Sequence, residues 1–211
     1  MRDEHCHIIW DVDDGASLKR QSIKMLRAAA DAGIDEMVCT PHMRWDDFDK
    51  AKVEDHFAQL KELGRDLGIK MTLGYEVFYR TLLKIGIERA PEFVTQGTNN
   101  ILIEFNTGGD MTHGWDRTFY ELQSKYGLEI TLAHPERYVT IQDDFDYIER
   151  VKDMGCRIQV SAGDLFDGFF SPMQRVAKRL IKEGYCDAIV SDAHCVDHYS
   201  EFAKAIEKYG E

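Results

Sequence analysis

The sequence predicts an α/β fold in which a single domain, residues 1–211, is built around parallel strands. Short β-rich runs alternate with segments of helical periodicity seven times in 211 residues. Each unit therefore has about 30 residues, the size of a βα repeat, and this alternation favours parallel strands joined by right-handed crossovers. A small closed barrel and an open doubly wound sheet both fit. In either architecture, functional groups gather at the carboxyl ends of the strands.

Local patterns predict the individual elements. Apolar residues recur every three or four positions across residues 50–67, which indicates one buried helix face. Ser171-Pro172 favours the start of another helix, and the acidic pair Asp143-Asp144 suits the N-terminus of a third. The predicted strands are residues 4–10, 36–40, 70–75, 100–105, 129–134, 156–161 and 187–192.

The composition is that of a globular protein with an acidic surface. Lys and Arg number 26 against 38 Asp and Glu, a formal net charge of −12, which argues against non-specific binding to nucleic acid or anionic membranes. The five cysteines form no CxxC pair, and we expect a reduced, cytoplasmic protein without a disulfide framework. The first residues lack the pattern of a signal peptide, and no apolar run approaches the ~18 residues of a membrane span.

Residues able to bind metal ions stand at the ends of six of the seven predicted strands. His5 and His7 are two positions apart on the first strand, so their side chains point to the same face. Only strand 156–161 lacks such a residue. The set is His5, His7, His42, Glu76, Glu104, His134, Asp192 and His194.

These residues predict a site with several metal ions. If the strands are parallel and adjacent, the groups converge on one rim, where desolvation and carboxylate repulsion would be severe without cations. Mixed imidazole and carboxylate ligands suit manganese, iron or zinc better than calcium. The loop after the first strand offers one more ligand, and its spacing from His7 admits either Asp13 or Asp14.

Several metal ions on one rim indicate phosphoester hydrolysis. Arg137 follows His134 by three residues and Arg44 follows His42 by two, and either guanidinium can bind a phosphate bidentately. No cysteine is followed six positions later by Arg, which excludes the phosphate-binding loop of cysteine-dependent phosphatases. The sequence also lacks the P-loop, the GxSxG elbow and the GxGxxG fingerprint.

For the remaining histidines and Cys195, sequence position alone predicts no role in the site. We expect His56 to be solvated on its helix, His113 and His198 to lie at the surface, and Cys195 to be a packed thiol. The glycines of loop 106–110 either allow close approach to a substrate or make a turn.

Five motifs occur in order along nearly the whole chain: His5-Cys6-His7, Thr40-Pro41-His42, Gly74-Tyr75-Glu76, Ala133-His134-Pro135-Glu136-Arg137-Tyr138 and Ser191-Asp192-Ala193-His194. Together they resemble the motifs of PHP-domain (polymerase and histidinol phosphatase) metallo-phosphoesterases. The resemblance is closest to the bacterial PHP-type tyrosine-protein phosphatases of capsule and exopolysaccharide operons. His-Cys-His-Ile followed by Asp-Val-Asp-Asp-Gly-Ala, and His-Pro-Glu-Arg-Tyr, are characteristic of that subgroup.

The resemblance implies a distorted (β/α)7 barrel with three divalent metal ions, manganese in preference to iron, zinc or magnesium. It implies that hydroxide bridging the metals, rather than a side chain, is the nucleophile. The catalytic residues would be Arg137, Glu104 and His42, with Arg137 and Arg44 binding substrate. The three ligand sets would be His5, His7, Glu76 and Asp192; Glu76, Glu104 and His134; and His42, His194 and an aspartate, for which we prefer Asp14.

The implied substrate is the phosphotyrosine of a cognate tyrosine autokinase that controls polysaccharide synthesis. Relatives carry an Arg soon after the Asp-Ala-His motif, whereas the loop after Asp192-Ala193-His194 in this sequence has none. We hypothesise that Arg44 or His198 replaces it.

Three alternative functions are another PHP activity such as a histidinol-phosphate phosphatase, a silent metal-binding regulatory domain, and an amidohydrolase. The last expects a bridging carboxylated lysine or carboxylate in a larger barrel, and no lysine stands at the carboxyl end of a predicted strand. Whether the chain forms a homo-oligomer is left open.

Overall fold

Parallel strands with helices between them make up the fold. A computed structural model describes residues 1–44, 48–108, 111, 113–168 and 170–210. The strands in these ranges are β1 (Arg2–Cys6), β2 (Glu36–Cys39), β3 (His42–Met43), β4 (Lys70–Leu73), β5 (Glu76–Phe78), β6 (Asn100–Glu104), β7 (Glu129–Leu132), β8 (Arg157–Ser161) and β9 (Ala188–Val190). The helices are α1 (Lys19–Asp31), α2 (Lys50–Asp66), α3 (Tyr79–Ile85), α4 (Trp115–Tyr126), α5 (Val139–Asp143), α6 (Asp146–Asp153), α7 (Pro172–Lys182) and α8 (Asp197–Tyr209).

The strands form a closed but distorted barrel. One section has the order β1-β2-β4 and the other β3-β5-β6-β7-β8-β9, with parallel pairing throughout. Two residues separate β2 from β3 and two separate β4 from β5, so each pair is one interrupted strand. A parallel bridge from Cys6 to Ala193 joins the end of β9 to β1. This confirms the predicted barrel of seven parallel strands and excludes the open sheet.

Several strands end earlier than the sequence predicts. The first strand was expected over residues 4–10 but ends at Cys6, and the last was expected to reach 192 but ends at Val190. His134 and Asp192 have φ values of 30° and 48°. This left-handed backbone cannot continue a strand. At these positions the chain therefore leaves the hydrogen-bonded sheet just before the candidate ligand.

The predicted helices are present with small shifts. Val53, Phe57 and Leu60 form the buried face of α2, as their spacing indicates. Ser171 caps α7 by accepting a hydrogen bond from the Gln174 backbone N–H at 3.3 Å. The third predicted helix is α6, which begins at Asp146, two residues after the acidic pair; Asp143 itself ends the short α5. No helix in the described part of the chain has the length and apolar character needed to cross a bilayer.

Candidate functional site

His5 and His7 face each other at the end of β1. Their Nε2 atoms are 3.1 Å apart, as expected for side chains on one face of a strand. Nδ1 of His7 lies 2.8 Å from a carboxylate oxygen of Asp13, and Nδ1 of His5 lies 3.3 Å from the side-chain oxygen of Gln159. When each Nδ1–H donates to these acceptors, both Nε2 lone pairs face the barrel mouth. Outer partners of this kind orient metal-binding imidazoles.

Asp192, two residues after the end of β9, joins the group formed by His5 and His7. Its Oδ1 lies 3.5 Å from Nε2 of His5 and 3.2 Å from Nε2 of His7. The preceding Ser191 is held by the buried Asp3, whose carboxylate accepts the serine backbone N–H at 2.9 Å and its hydroxyl at 2.6 Å. These bonds hold the left-handed turn at Asp192, a form of local strain that is common at functional sites.

Glu76 lies at the centre of the rim. Its Oε1 is 2.6 Å from Nε2 of His134, and its Oε2 is 2.7 Å from Nδ1 of His42. Oε2 is also 3.3 Å from His5 and 3.4 Å from His7. Burial raises the pKa of the Glu76 carboxyl, but the facing imidazoles of His42, His5 and His134 outweigh it and hold the pKa well below its ordinary value. Glu76 is therefore a buried carboxylate shared by several imidazoles.

Asp13 and Asp14, which the sequence could not separate, have different neighbours. Oδ1 of Asp14 lies 3.2 Å from Nε2 of His42 and 3.3 Å from Nε2 of His194. Hydrogen bonding to His194 and His42 lowers the pKa of Asp14 far below its ordinary value. Asp13 instead contacts the outer nitrogen of His7 and accepts the backbone N–H of His42 at 3.1 Å. The geometry therefore places Asp14 inside the cluster and Asp13 behind it.

Gly15 lets the loop after β1 lie against His7. A Cβ at this position would overlap the backbone oxygen of His7. That oxygen accepts the Ala16 N–H at 3.2 Å, and the Asp13 carboxylate accepts the Gly15 N–H at 3.0 Å. The absence of a side chain at Gly15 thus brings both aspartates to the rim.

Glu104 is paired with Arg44 as well as with the cluster. The guanidinium of Arg44 donates to both Glu104 oxygens, at 2.7 and 3.2 Å, and lies 3.4 Å from Asp14. Oε1 of Glu104 is 3.3 Å from Nδ1 of His42. Glu104 therefore groups with His42 and Glu76 rather than with His134, and Arg44 contacts carboxylates rather than an open phosphate site.

The donor set fits divalent cations. The donor atoms of each cluster lie within 4.8 Å of one another. Nδ1 of His42 and Oε2 of Glu76 are buried and close, yet neither makes a hydrogen bond of acceptable geometry within the described residues. Such orphaned polar atoms are costly unless another group binds them. The clusters are His7, Asp14, His42 and His194; His5, Glu76 and His134; His5, His7 and Asp192; and His42, Glu76 and Glu104.

Arg137 lies beside the cluster, at the edge of a cavity of about 520 Å³. Its Nη1 is 2.7 Å from Asp192, its Nε donates to Asp164 at 2.6 Å, and its Nη2 donates to Ser161 at 3.0 Å. A guanidinium has five N–H donors, so two remain for a ligand. Burial lowers the pKa of Arg137, but the carboxylates of Asp192 and Asp164 outweigh it and raise the pKa, so the side chain stays cationic.

The structure changes several predictions about nearby residues. His198, expected at the surface, is half-buried and lines the cavity beside Arg137. Cys195 is exposed and not a packed thiol. His56 is half-buried, stacked on Trp10 with ring centroids 4.3 Å apart. His113 is exposed, as expected.

Sequence reasoning missed one residue of the rim, and one predicted loop falls partly outside the described residues. Asp164, which holds Arg137, was missed because a loop acid carries no distinctive spacing. In loop 106–110, Gly109 and Asp110 lie outside the described residues.

Comparisons with known proteins agree with the predicted resemblance. Tyrosine-protein phosphatase YwqE of Bacillus subtilis is 29% identical over 216 residues, covering 99% of this chain and 84% of YwqE. Tyrosine-protein phosphatase CpsB of Streptococcus pneumoniae is 26% identical over 208 residues, covering 93% and 84% of the two chains. A solved structure, described as YwqE from Bacillus subtilis and CpsB from Streptococcus pneumoniae, unique metal-dependent tyrosine phosphatases, matches with a TM-score of 0.85 and 27% identity. The match covers 100% of this chain and 88% of the other.

A more distant structure shares the fold. Histidinol phosphate phosphatase of Lactococcus lactis, solved with zinc, L-histidinol and phosphate, has a TM-score of 0.62 at 16% identity, covering 99% of this chain and 93% of the other. A model of the family described as capsular polysaccharide synthesis, CpsB/CapC, matches residues 1–208. The relatives confirm both the family and the class of enzyme that the motifs predicted. The chain belongs to the CpsB/CapC family.

Proposed function

We propose that this chain is a metal-dependent protein-tyrosine phosphatase, with residues 1–211 as one catalytic domain. The observation that carries the proposal is the position of Arg137. Its guanidinium contacts Asp192 of the donor cluster on one side and borders an open cavity on the other. A phosphoryl group bound by Arg137 would therefore lie against the metal-binding groups.

The site would hold three divalent ions, with manganese as the proposed metal. The first would be bound by His5, His7 and Asp192, and a second by His42, His194 and Asp14. Glu76 and His134 would bind the third, with Glu76 sharing its carboxylate with the first, and Glu104 would reach this group from the side of His42. Divalent ions bound there would lower the pKa of an attacking water and neutralise charge on the phosphoryl oxygens.

The protein's own residues bind and orient the substrate. Arg137 uses its two remaining N–H donors on the phosphoryl oxygens, which suits the planar fork of its guanidinium. Asp164 and Ser161 fix the fork from behind. His198 faces the same cavity, and its Nδ1 accepts the His194 backbone N–H at 3.3 Å. Nδ1 also lies 3.4 Å from the backbone oxygen of Asp192. In the tautomer in which Nδ1 accepts, the Nε2–H can donate to the phosphoryl group, in place of the Arg that the loop lacks.

The proposed substrate is a phosphotyrosyl protein, and the proposed partner is a tyrosine autokinase that controls capsular or exopolysaccharide synthesis. This assignment rests on the family's role in capsular polysaccharide synthesis and on the relatives' names. The proposed location is the cytoplasm.

The test is hydrolysis of a phosphotyrosyl peptide by purified protein, first after chelation and then after addition of Mn²⁺. We expect activity to disappear and return, with about three metal ions per chain by elemental analysis. The His42→Ala variant should lose activity, while His113→Ala, an exposed histidine outside the clusters, should keep it.

The outcomes separate the alternatives. Turnover of histidinol phosphate but not of the peptide would indicate a different phosphoesterase. Bound metal without turnover of either substrate would favour a regulatory domain. A protein that binds no metal would overturn the site assignment itself.

A further inference from the structure

The end of β8 is the part of the rim that offers no metal ligand. The chain passes from β8 into residues 162–168, here called the β8 loop. This loop begins with a short 3-10 turn, Gly163–Leu165. The side-chain amide of Gln174, on α7, donates to the backbone oxygen of Leu165 at 3.1 Å and fixes the turn. The β8 loop is thus a firmly held wall beside the metal-binding groups.

One turn of the β8 loop carries two different kinds of contact. Asp164 holds the guanidinium of Arg137 at 2.6 Å. Two residues later, Phe166 ends the turn, and its backbone N–H donates to Gly163 at 3.0 Å. Phe166 lines the cavity that Arg137 borders and remains 39% exposed, and its ring centroid lies 6.4 Å from that of Tyr209 on α8. The phosphoryl-binding side chain and an exposed aromatic ring are therefore positioned by the same turn.

The rest of the cavity wall is polar. Phe166 and Met173 are the only large apolar side chains among its described lining residues. Asp167 and Glu201 line it as well, and these carboxylates would repel a second anionic group. The cavity therefore suits a neutral, flat organic group that packs on a ring.

We propose that Phe166 is a specificity-determining residue that packs against the aromatic ring of an aryl phosphate. This inference rests on the proposed function, because Arg137 has to hold the phosphoryl group for the ring to lie in the cavity. Offset or edge-to-face aromatic contacts add to simple apolar burial. The site should then discriminate aryl from alkyl phosphoryl compounds through the β8 loop rather than through the metal ions.

The test compares two phosphonates that differ only in the organic group. Phenylphosphonate and methylphosphonate are titrated calorimetrically into the Mn²⁺-loaded protein. We expect the wild type to bind the phenyl compound about tenfold more tightly, and Phe166→Ala to reduce this ratio to about two. Phe166→Tyr should retain the ratio because the ring remains.

Phe170→Ala is the matched control. Phe170 follows the same loop and is 91% exposed but does not line the cavity, so the ratio should stay at the wild-type value. No wild-type preference, no binding of either phosphonate, or equal ratios in Phe166→Ala and Phe170→Ala would overturn the inference.

Peptide turnover separates this inference from the proposed function. If the protein prefers phenylphosphonate through Phe166 but hydrolyses no phosphotyrosyl peptide, the proposed phosphatase is wrong and the aryl site stands. If it hydrolyses the peptide and Phe166→Ala leaves the phosphonate ratio unchanged, the aryl site is wrong and the phosphatase stands.

Discussion

Two sides of the barrel mouth differ in how they are built. On the metal side, most imidazoles and carboxylates lie in the strands or directly after them and are buried, with Glu76 wholly enclosed. On the β8 side, Arg137, Asp164 and Phe166 come from short turns and face a cavity. Rigid strand ends fix the distances that metal coordination requires, whereas turns allow a wall to be shaped for a substrate.

Arg137 connects the two sides. It contacts Asp192 on the metal side and Asp164 on the β8 side. If one side binds the metal ions and the other binds the substrate, variants on the metal side change the number or affinity of bound ions. Variants on the β8 side change phosphate and aryl affinity and leave the ions in place.

Glu76→Gln is expected to have the largest effect. The Glu76 carboxylate faces four imidazoles. A neutral amide lacks the negative charge and the second oxygen that binding two metal ions requires. We expect kcat/KM on a phosphotyrosyl peptide to fall at least about 10³-fold, because metal ions supply several kcal/mol of charge stabilisation. Elemental analysis should show fewer than three ions per chain. Glu207→Gln, an exposed glutamate on α8, is the control. An active Glu76→Gln protein with unchanged metal content would contradict the central role of this residue.

Arg137→Lys tests the connection between the two sides. Lysine keeps the charge but loses the planar fork that contacts Asp192, Asp164 and Ser161 together. We expect about a 10²-fold loss of kcat/KM with an unchanged number of bound ions. Arg150→Lys, at the surface, should behave as wild type. A change in ion content in Arg137→Lys would show that the two sides are not separable.

The sequence reveals the metal side better than the β8 side, for a physical reason. Strand alternation places His5 and His7 together, and parallel strands bring their ends to one rim, so residue type and position are enough to group the donors. Asp164 and Phe166 are common residue types in a loop, and their role depends on the path of a turn that no periodicity encodes. Arg44 was placed correctly on the rim, but its pairing with Glu104 depends on side-chain packing.

Asp13→Asn and Asp14→Asn separate an outer partner from a proposed ligand. Asp13 contacts the outer nitrogen of His7, whereas Asp14 faces His42 and His194. We expect Asp13→Asn to keep all ions but weaken Mn²⁺ affinity about 10- to 100-fold. Asp14→Asn should lose one ion. The reverse pattern, measured by calorimetry and elemental analysis, would assign Asp13 as the ligand.

The pH dependence of metal binding has a smaller expected effect and tests the metal side alone. Burial lowers the pKa of His42, but the carboxylate of Glu76, with Asp14 and Glu104, raises it to about 10. Burial also lowers the pKa of His7, and Asp13 outweighs it, raising that pKa well above its ordinary value. We therefore expect His42 to be protonated at neutral pH in the metal-free protein, and the raised pKa of His7 favours the charged form in the same direction.

Metal ions bind the neutral imidazole, so binding must release these protons. At pH values below the pKa of His42, an increase in pH lowers the free-energy cost of that release. Mn²⁺ affinity should therefore rise by up to about tenfold per pH unit for each proton displaced. Calorimetry between pH 6 and 8, in buffers of different ionisation enthalpy, measures both the slope and the number of protons. Phe166→Ala should show the same slope as the wild type, because the β8 loop contains none of the displaced protons. An Mn²⁺ affinity that does not change with pH, with no buffer-dependent heat, would mean that the imidazoles are already neutral and that the carboxylates alone set the charge of the site.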